Sequence, residues 1–293
     1  MITQPNQHTI LVSGATGQQG GAVLKHLLDK GFKVRVLTRN PDQTAARDLA
    51  ECGLEVFKGD FLDRDSLDRA LDGVYGTFSV QNAHSAGIKG EIKQGKAFAD
   101  AARDAGVKHF VYTSVGGAER NTGIPHFDSK GEIEKHIRSI GLPATILRPV
   151  FFMNNWTMFK DAISGGQLLS PLSPETKLQQ IAVDDIGAFA TIAFTNPDKW
   201  ISRAIEIAGD ELTMTETAET FSHALNQNVA FVQVPWDKWQ DQAGKEMTTM
   251  YRWFEEKGYQ ADIAKLRDLH PGLKNLTSFL QTQDWVTQEH IVN

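Results

Sequence analysis

The first 150 residues alternate between two hydrophobic rhythms. A short β-branched run, HTILVSG from His8, ends at Gly14, and in GGAVLKHLLDKGF the apolar residues Val23, Leu24, Leu27 and Leu28 recur at helical spacing until Gly31. The exchange then repeats. KVRVLTR predicts a strand and TAARDLAEC a helix, LEVFKGD a strand and DSLDRALDG a helix, GTFSVQN a strand and KQGKAFADAARDAGV a longer helix. KHFVYTSVGG supplies a fifth strand, HFDSKGEIEKHI a fifth helix and ATILRPV a sixth strand. Strands separated by single helices predict a parallel sheet covered on both faces and joined by right-handed crossovers. The expected fold class is therefore α/β, a doubly wound parallel sheet of the Rossmann type, over residues 1–150.

From 151 to 293 the rhythm loosens. FFMNNWTMF is aromatic and amide-rich, SGGQLLSPLSPET is turn-rich, and the tail from about Trp236 reads as mostly helical. A smaller, mixed, substrate-side region is expected there, with one return strand to the main sheet near 203–209, in RAIEIAGDELT. No repeat or low-complexity segment interrupts the chain.

Composition narrows the function. The 293 residues carry a formal charge of −6 with no run of four basic residues, which argues against a nucleic-acid surface. No apolar run approaches the ~18 residues of a membrane span, and MITQPNQHTILVSG has no signal- or transit-peptide pattern, so a cytoplasmic protein with no membrane partner is expected. The single cysteine, Cys52, allows no internal disulfide, and the histidines, His8 to His290, show no ligand-like pairing, so no metal is expected. No G-x-S-x-G nucleophile motif is present.

Chemistry concentrates at strand ends. SGATGQQGG sets Gly14, Gly17 and Gly20 between a strand and a helix, with Thr16, Gln18 and Gln19 in the same turn; glycine permits close backbone approach, and the helix N-terminus offers free N–H groups to a pyrophosphate. Where an NAD-binding protein carries an acid after the second strand, this chain reads VLTRNP. Arg39 there suits the extra phosphate of NADP(H), by charge and paired donors. After the third strand, Asp60 is a candidate acceptor for the adenine amino group with Phe61 beside the ring. A helix N-cap is its alternative role, although Asp63 and Asp65 lie closer to the helix start.

GATGQQGGAV, KVRVLTRNP, FKGDFLD, GTFSVQN, HFDSKGEIE and RPVFFMNN, in this order along essentially the whole chain, resemble the NmrA-like branch of the atypical short-chain dehydrogenases/reductases. The resemblance implies that Gln81 and Asn82 line the nicotinamide-side ribose, that Lys130 bonds its hydroxyls, and that Phe152 and Asn154 flank the nicotinamide end. Relatives of this kind include a dinucleotide-binding fungal regulator and reductases of quinones or triphenylmethane dyes, so the resemblance implies fold and cofactor and leaves catalysis open.

In catalytic members of the superfamily a serine positions the substrate carbonyl, a tyrosine donates a proton, and a lysine four residues on lowers the phenol pKa and holds the ribose. Here Ser114 ends the fifth strand, His126 stands in the tyrosine's place, and Lys130 follows it by four. The i, i+4 spacing puts both on one helix face if the helix includes residue 126. Asp128 and Ser129 are N-cap candidates, and Ser129 with Glu132 reads as a capping box, which would leave His126 outside. Imidazolium is a competent acid near neutral pH, but a neighbouring ammonium disfavours its formation. Two readings result. One is a reductase passing hydride from NADPH to a small quinone-like or aromatic acceptor, whose reduced oxyanion needs no strong protein acid. The other is a non-catalytic NADPH/NADP redox sensor that orders loops such as AHSAGIKGE and so regulates a protein partner. Both admit an oligomer.

Overall fold

A computed structural model describes residues 7–283 and Trp285. The chain divides into two compact units: the first runs through Pro149 and takes in Val183–Ile205, and the second is formed by Val150–Ala182 and the chain from Glu206 onward. The likeness to the expected Rossmann-type fold lies in the first.

There, β1 (Thr9–Ser13), β2 (Lys33–Thr38), β3 (Glu55–Lys58), β4 (Gly76–Ser79), β5 (His109–Thr113) and β6 (Ala144–Pro149) alternate with α1 (Gln18–Asp29), α2 (Thr44–Glu51), α3 (Arg64–Leu71), α4 (Ala83–Asp104) and α5 (Pro125–Ser139). A later strand, Ala204–Ile207, completes a seven-stranded sheet beside β6, in the order Ala204–Ile207, β6, β5, β4, β1, β2, β3. β1 pairs in parallel with β2 from Thr9↔Lys33 to Ser13↔Leu37, and with β4 from Ile10↔Gly76 to Val12↔Phe78. Strand order thus reverses between β1 and β4, the switch point where open α/β sheets bind ligands at their carboxyl ends.

Side chains alternate across the sheet. Leu11, Leu37, Phe110, Tyr112 and Ile146 form one cluster with Leu67 and Leu71 of α3, Phe98 and Ala102 of α4, and Ile133 and Ile137 of α5. Ile10, of opposite parity, meets a further helix, Val183–Thr195, at Phe194, where both crowd the space a side chain on Gly76 would need. That helix is buried along nearly its whole length. It runs against α1 so closely that a Cβ on Gly187 would lie 2.6 Å from the backbone carbonyl of Ala22.

Several boundaries differ from the sequence expectation. The fourth helix starts ten residues before the predicted KQGKAFADAARDAGV, so AHSAGIKGE is helical and kinked at Gly87 (φ 70°, ψ 164°) rather than a loop. Ile88 and Ile92, one turn apart, are both half-buried there, and Gly87 and Gly90 interrupt the apolar pattern. The fifth helix starts at Pro125, so His126 lies inside it; Asp128 and Ser129 are not its caps. Val183–Thr195 was not anticipated. RAIEIAGDELT holds two strands, only the first of which joins the main sheet.

The second unit contains β7 (Phe151–Phe152), a 3-10 helix (Met153–Phe159), α6 (Lys160–Ser164), β8 (Gln167–Ser170), β9 (Lys177–Ile181), β11 (Asp210–Thr213) and β12 (Ala230–Gln233), the Ala204–Ile207 strand being β10. Val183–Thr195 and Pro197–Trp200 are α7 and α8, and the tail forms α9 (Met214–Leu225), α10 (Trp236–Glu256), α11 (Ile263–Leu269) and α12 (Leu276–Leu280). β8 lies in the stretch read as turns and pairs in parallel with β12. β11, β9 and β7 form a separate three-stranded sheet. Phe151, Trp156, Phe221 and Phe254 are the buried aromatic centre, and the Trp156 indole donates to Gln180 Oε1 at 2.7 Å. Among the described residues no helix is long and apolar enough to cross a membrane.

One buried histidine couples the first unit to pH. His109 opens β5 with no exposed surface, its Nε2 2.8 Å from Thr145 Oγ1, while Thr145 donates to the Trp200 carbonyl at 2.7 Å. Thr145 Oγ1 therefore accepts from a neutral ring protonated at Nε2. Burial pushes the His109 pKa down to about 4. Because the unfolded chain binds this proton near pH 6.5 and the folded one near 4, His109 subtracts stability as pH falls through that window and is neutral to it above. Denaturant unfolding of the wild type should lose about 2 kcal/mol from this group between pH 7.5 and pH 5. His109→Leu should flatten that part of the slope; an unchanged slope would place the acid sensitivity elsewhere.

Candidate functional site

The parallel strands β1–β6 of the first unit all end at the carboxyl edge of the sheet. β1 and β4 are stitched at the switch point by Ser13, whose hydroxyl donates to the Phe78 carbonyl and accepts from the Val80 N–H, both at 3.0 Å. The chain then turns at Gly14, with φ +66°, where a Cβ would sit 2.7 Å from Val80 Cγ1. Gly20 has still less room: its Cβ would lie 2.2 Å from the Gly14 carbonyl oxygen. The strand-to-helix turn therefore closes only with glycine at both positions.

Gly17 caps α1 without a side-chain hydrogen bond, and no acid occupies the first turn. Thr16, Gly17 and Gln18 are exposed, so the positive end of the helix dipole meets solvent in a cradle suited to an anion. Gln19 is drawn inward, its Oε1 accepting from Thr113 Oγ1 at 2.7 Å. Arg39 follows β2, exposed and without an ion pair among the described residues. Its sequence neighbour Thr38 is in register with Lys58 at the end of β3, a second exposed cation. Lys58 carries no signal in the sequence, because only strand register brings it to the strand end that Arg39 follows.

Asp60 and Phe61 follow β3. Asp60 Oδ1 accepts from the Leu62 N–H at 2.8 Å, while the cap of α3 is Asp63, which accepts from the Ser66 N–H. Phe61 tilts against Phe98 with ring centroids 5.1 Å apart, so only part of the ring faces outward. After β4, Gln81 is buried: its Nε2 donates to Ser79 Oγ at 3.0 Å, and its Oε1 is left without a partner. Asn82 is exposed and accepts from the His84 N–H as the cap of α4.

α5 brings His126 and Lys130 to one face, one turn apart. His126 is half-buried, edge-on to Phe127 at 5.0 Å. Asp128 reaches back to hold the Thr122 N–H and hydroxyl, and this loop contact is what the capping expectation mistook. Ser129 and Lys130 both point into α4, at Glu91. Ser129 Oγ donates to Oε2 at 2.5 Å, and the Lys130 ammonium to Oε1 at 2.9 Å. Glu91 has no exposed surface. Nothing in KGEIK sets it apart by type or period, and only the three-dimensional pairing reveals it.

A second buried carboxylate lies further along α5. Glu134 accepts from Ser114 Oγ at 2.6 Å, from Arg148 Nε and Nη2 at 3.0 and 2.7 Å, and from Arg138 at 2.9 Å. The Ser114 hydroxyl hydrogen is thereby committed inside the fold. Tyr112, two residues earlier, is not a substitute for the tyrosine missing at 126, since it is wholly buried. Burial, with the charges of Glu91 and Glu134 adding to it, pushes its phenol pKa well above the usual value. Phe152 and Asn154, half-buried, belong to the second unit, at the end of β7 and in the 3-10 helix. Among the described residues no group of three His, Cys, Asp or Glu side chains could hold a metal ion.

Strand order, switch point and glycine turn define the class, a Rossmann-type α/β protein. The sequence profile of the NmrA-like family matches residues 6–280, and the chain belongs to that family. An NAD(P)H azoreductase of Xenophilus azovorans is 31% identical over 243 residues, 82% of this chain and 81% of the azoreductase. The nitrogen metabolite repression protein of Emericella nidulans is 29% identical over 243 residues, 78% of this chain and 68% of that protein. Among solved structures, the Citrobacter sp. triphenylmethane reductase complexed with NADP(H) superposes with a TM-score of 0.82 at 24% identity, covering 93% of this chain and 99% of that one.

The Glu134 cluster carries a testable cost. Arg148→Met removes its two-donor partner and leaves a buried carboxylate short of compensation, which should destabilise the protein by about 3 kcal/mol in denaturant titrations. A loss below about 1 kcal/mol would mean that Arg138 and Ser114 suffice.

Proposed function

We propose that this protein is an NADP(H)-dependent oxidoreductase acting on a small quinone-like or aromatic acceptor. The observation that carries this reading is the uncapped N-terminus of α1 above a turn too tight for a Cβ at residue 20, with Arg39, which has no ion pair among the described residues, at the next strand end. The cradle and the orphaned Gln81 Oε1 fit a dinucleotide: the first receives the pyrophosphate, and the second accepts a hydrogen bond from a hydroxyl of the nicotinamide-side ribose. Arg39, with Lys58 alongside, holds the 2′-phosphate, Asp60 and Phe61 the adenine end, Asn82 and Lys130 the nicotinamide-side ribose. When bound, the reduced nicotinamide supplies a hydride. The chain's part is to hold the dinucleotide in place and keep its reactive end oriented.

The acceptor class follows from what α5 lacks. With histidine at 126, lysine at 130 and the Ser114 proton committed to Glu134, the site offers no phenol and no free serine donor for an alkoxide. A quinone or extended aromatic acceptor tolerates this, because its reduced form is a stabilised anion that takes its proton from solvent or from His126. One of its relatives is named an NAD(P)H azoreductase, which supports the reading of a nicotinamide-dependent reductase. The same committed serine favours a second reading, a redox sensor that binds the dinucleotide without turnover and regulates a protein partner, as the relative named for nitrogen metabolite repression suggests.

Purified protein with NADPH and a panel of quinones and aromatic dyes, followed at the NADPH absorbance, separates the two. Turnover is expected. Tight cofactor binding with no turnover on any acceptor would leave the sensor. His126→Ala should retain most of the quinone activity, and loss of more than about 100-fold would make the imidazole the obligatory acid. Arg39→Ala should raise the Kd for NADPH by roughly tenfold or more while leaving that for NADH nearly unchanged. Equal effects on the two would remove Arg39 from the phosphate site.

A further inference from the structure

Glu91 is a carboxylate with no exposed surface in a site whose proposed ligand is an anion, and it needs a reason to be there. Burying one costs several kcal/mol unless donors replace its water. α5 supplies two in succession, the Ser129 hydroxyl on Oε2 and the Lys130 ammonium on Oε1, one for each oxygen. The Lys130 side chain is itself only 16% exposed. It is therefore no loose surface cation but is held in place by Glu91, which among the described residues takes one of its three N–H groups and leaves two to donate. In charge, the pair is close to neutral.

That neutrality matters at the nicotinamide, which is uncharged when reduced and cationic when oxidised. A lone ammonium beside the ring disfavours the oxidised form, and a buried carboxylate behind the ammonium cancels that bias. We propose that Glu91 is a positioning residue for Lys130 and, by cancelling its charge, sets the relative affinity of the site for NADP+ and NADPH. This rests on the reading of Lys130 as the nicotinamide-ribose clamp. It requires no change in the glycine turn or at Arg39, which see the same phosphates in both redox forms.

The test is the ratio of two dissociation constants, measured by tryptophan fluorescence or calorimetry at fixed ionic strength, with melting temperature as a check on folding. Glu91→Gln keeps the shape and removes the charge. It should weaken NADP+ more than NADPH, moving the ratio toward the reduced form by roughly five- to tenfold. Glu91→Asp, which keeps the charge, should move the ratio less. Lys130→Met alone leaves an unbalanced carboxylate and should shift the ratio the other way, and the double variant Glu91→Gln/Lys130→Met, with neither charge, should return it toward the wild-type value. Should Glu91→Gln fail to fold, the Lys130→Met and double variants carry the same comparison. Equal weakening of both redox forms in Glu91→Gln would reduce Glu91 to a structural role and overturn the inference. If Lys130→Met changed neither affinity, the placement of Lys130 at the ribose would fall instead, a result distinguishable from the first.

Discussion

A missing methyl group governs the carboxyl edge of this sheet. At residue 20 a Cβ would lie 2.2 Å from the Gly14 carbonyl oxygen, so the turn out of β1 closes only because that atom is absent. The consequences run outward from that contact. α1 starts directly beneath the turn, no side chain among the described residues caps its first N–H groups, and it follows β1 at the switch point between β1 and β4. On α1's other side the close approach of Gly187 to Ala22 repeats the device, with a glycine letting α7 lie flush against it. Position and electrostatics of the candidate phosphate site are in this sense products of packing.

α5 shows the complementary strategy, in which buried charge rather than missing bulk fixes geometry. Glu91 engages it from α4 through Ser129 and Lys130, and its own Glu134 ties it outward to Ser114 and Arg148 and along the helix to Arg138. Neither carboxylate reaches water, so each must keep its donors, and the donors are thereby held in single orientations. The result is a rigid α5 whose two residues of greatest chemical interest differ in kind. Lys130 is committed to a neutral pair, while His126, further toward the helix start, is half-buried against an aromatic edge.

Much of the fold was legible because the first six strands and five helices are local patterns, each bounded by glycine or a polar turn. The legible part ended where non-local contacts decide the outcome. α7 is too uniformly apolar to display a helical stripe, since it is buried on nearly all sides. α4 hid its first turns behind Gly87 and Gly90. For the candidate site, glycine spacing and the arginine after β2 were visible as residue types in sequence order. Glu91, Glu134 and Lys58 were not, because a carboxylate or lysine acquires its meaning from partners on other elements, 14 to 39 positions away in the chain for the two carboxylates, or from strand register.

The path of the chain between β6 and β10 has a further consequence. After Pro149 it leaves the first unit, builds part of the second, and comes back at Val183 to lay α7 against α1 and to add the last strand of the sheet, before departing again at Glu206. During synthesis on a ribosome, the glycine turn and the five following strands therefore emerge well before the helix that covers α1. Until residue 195 has cleared the exit tunnel, the apolar surface that α7 will bury stays uncovered, and transient exposure of that kind is what makes a partly made chain prone to aggregate. Because the two units are interleaved, neither corresponds to one uninterrupted stretch of the chain that could be excised as a single cassette.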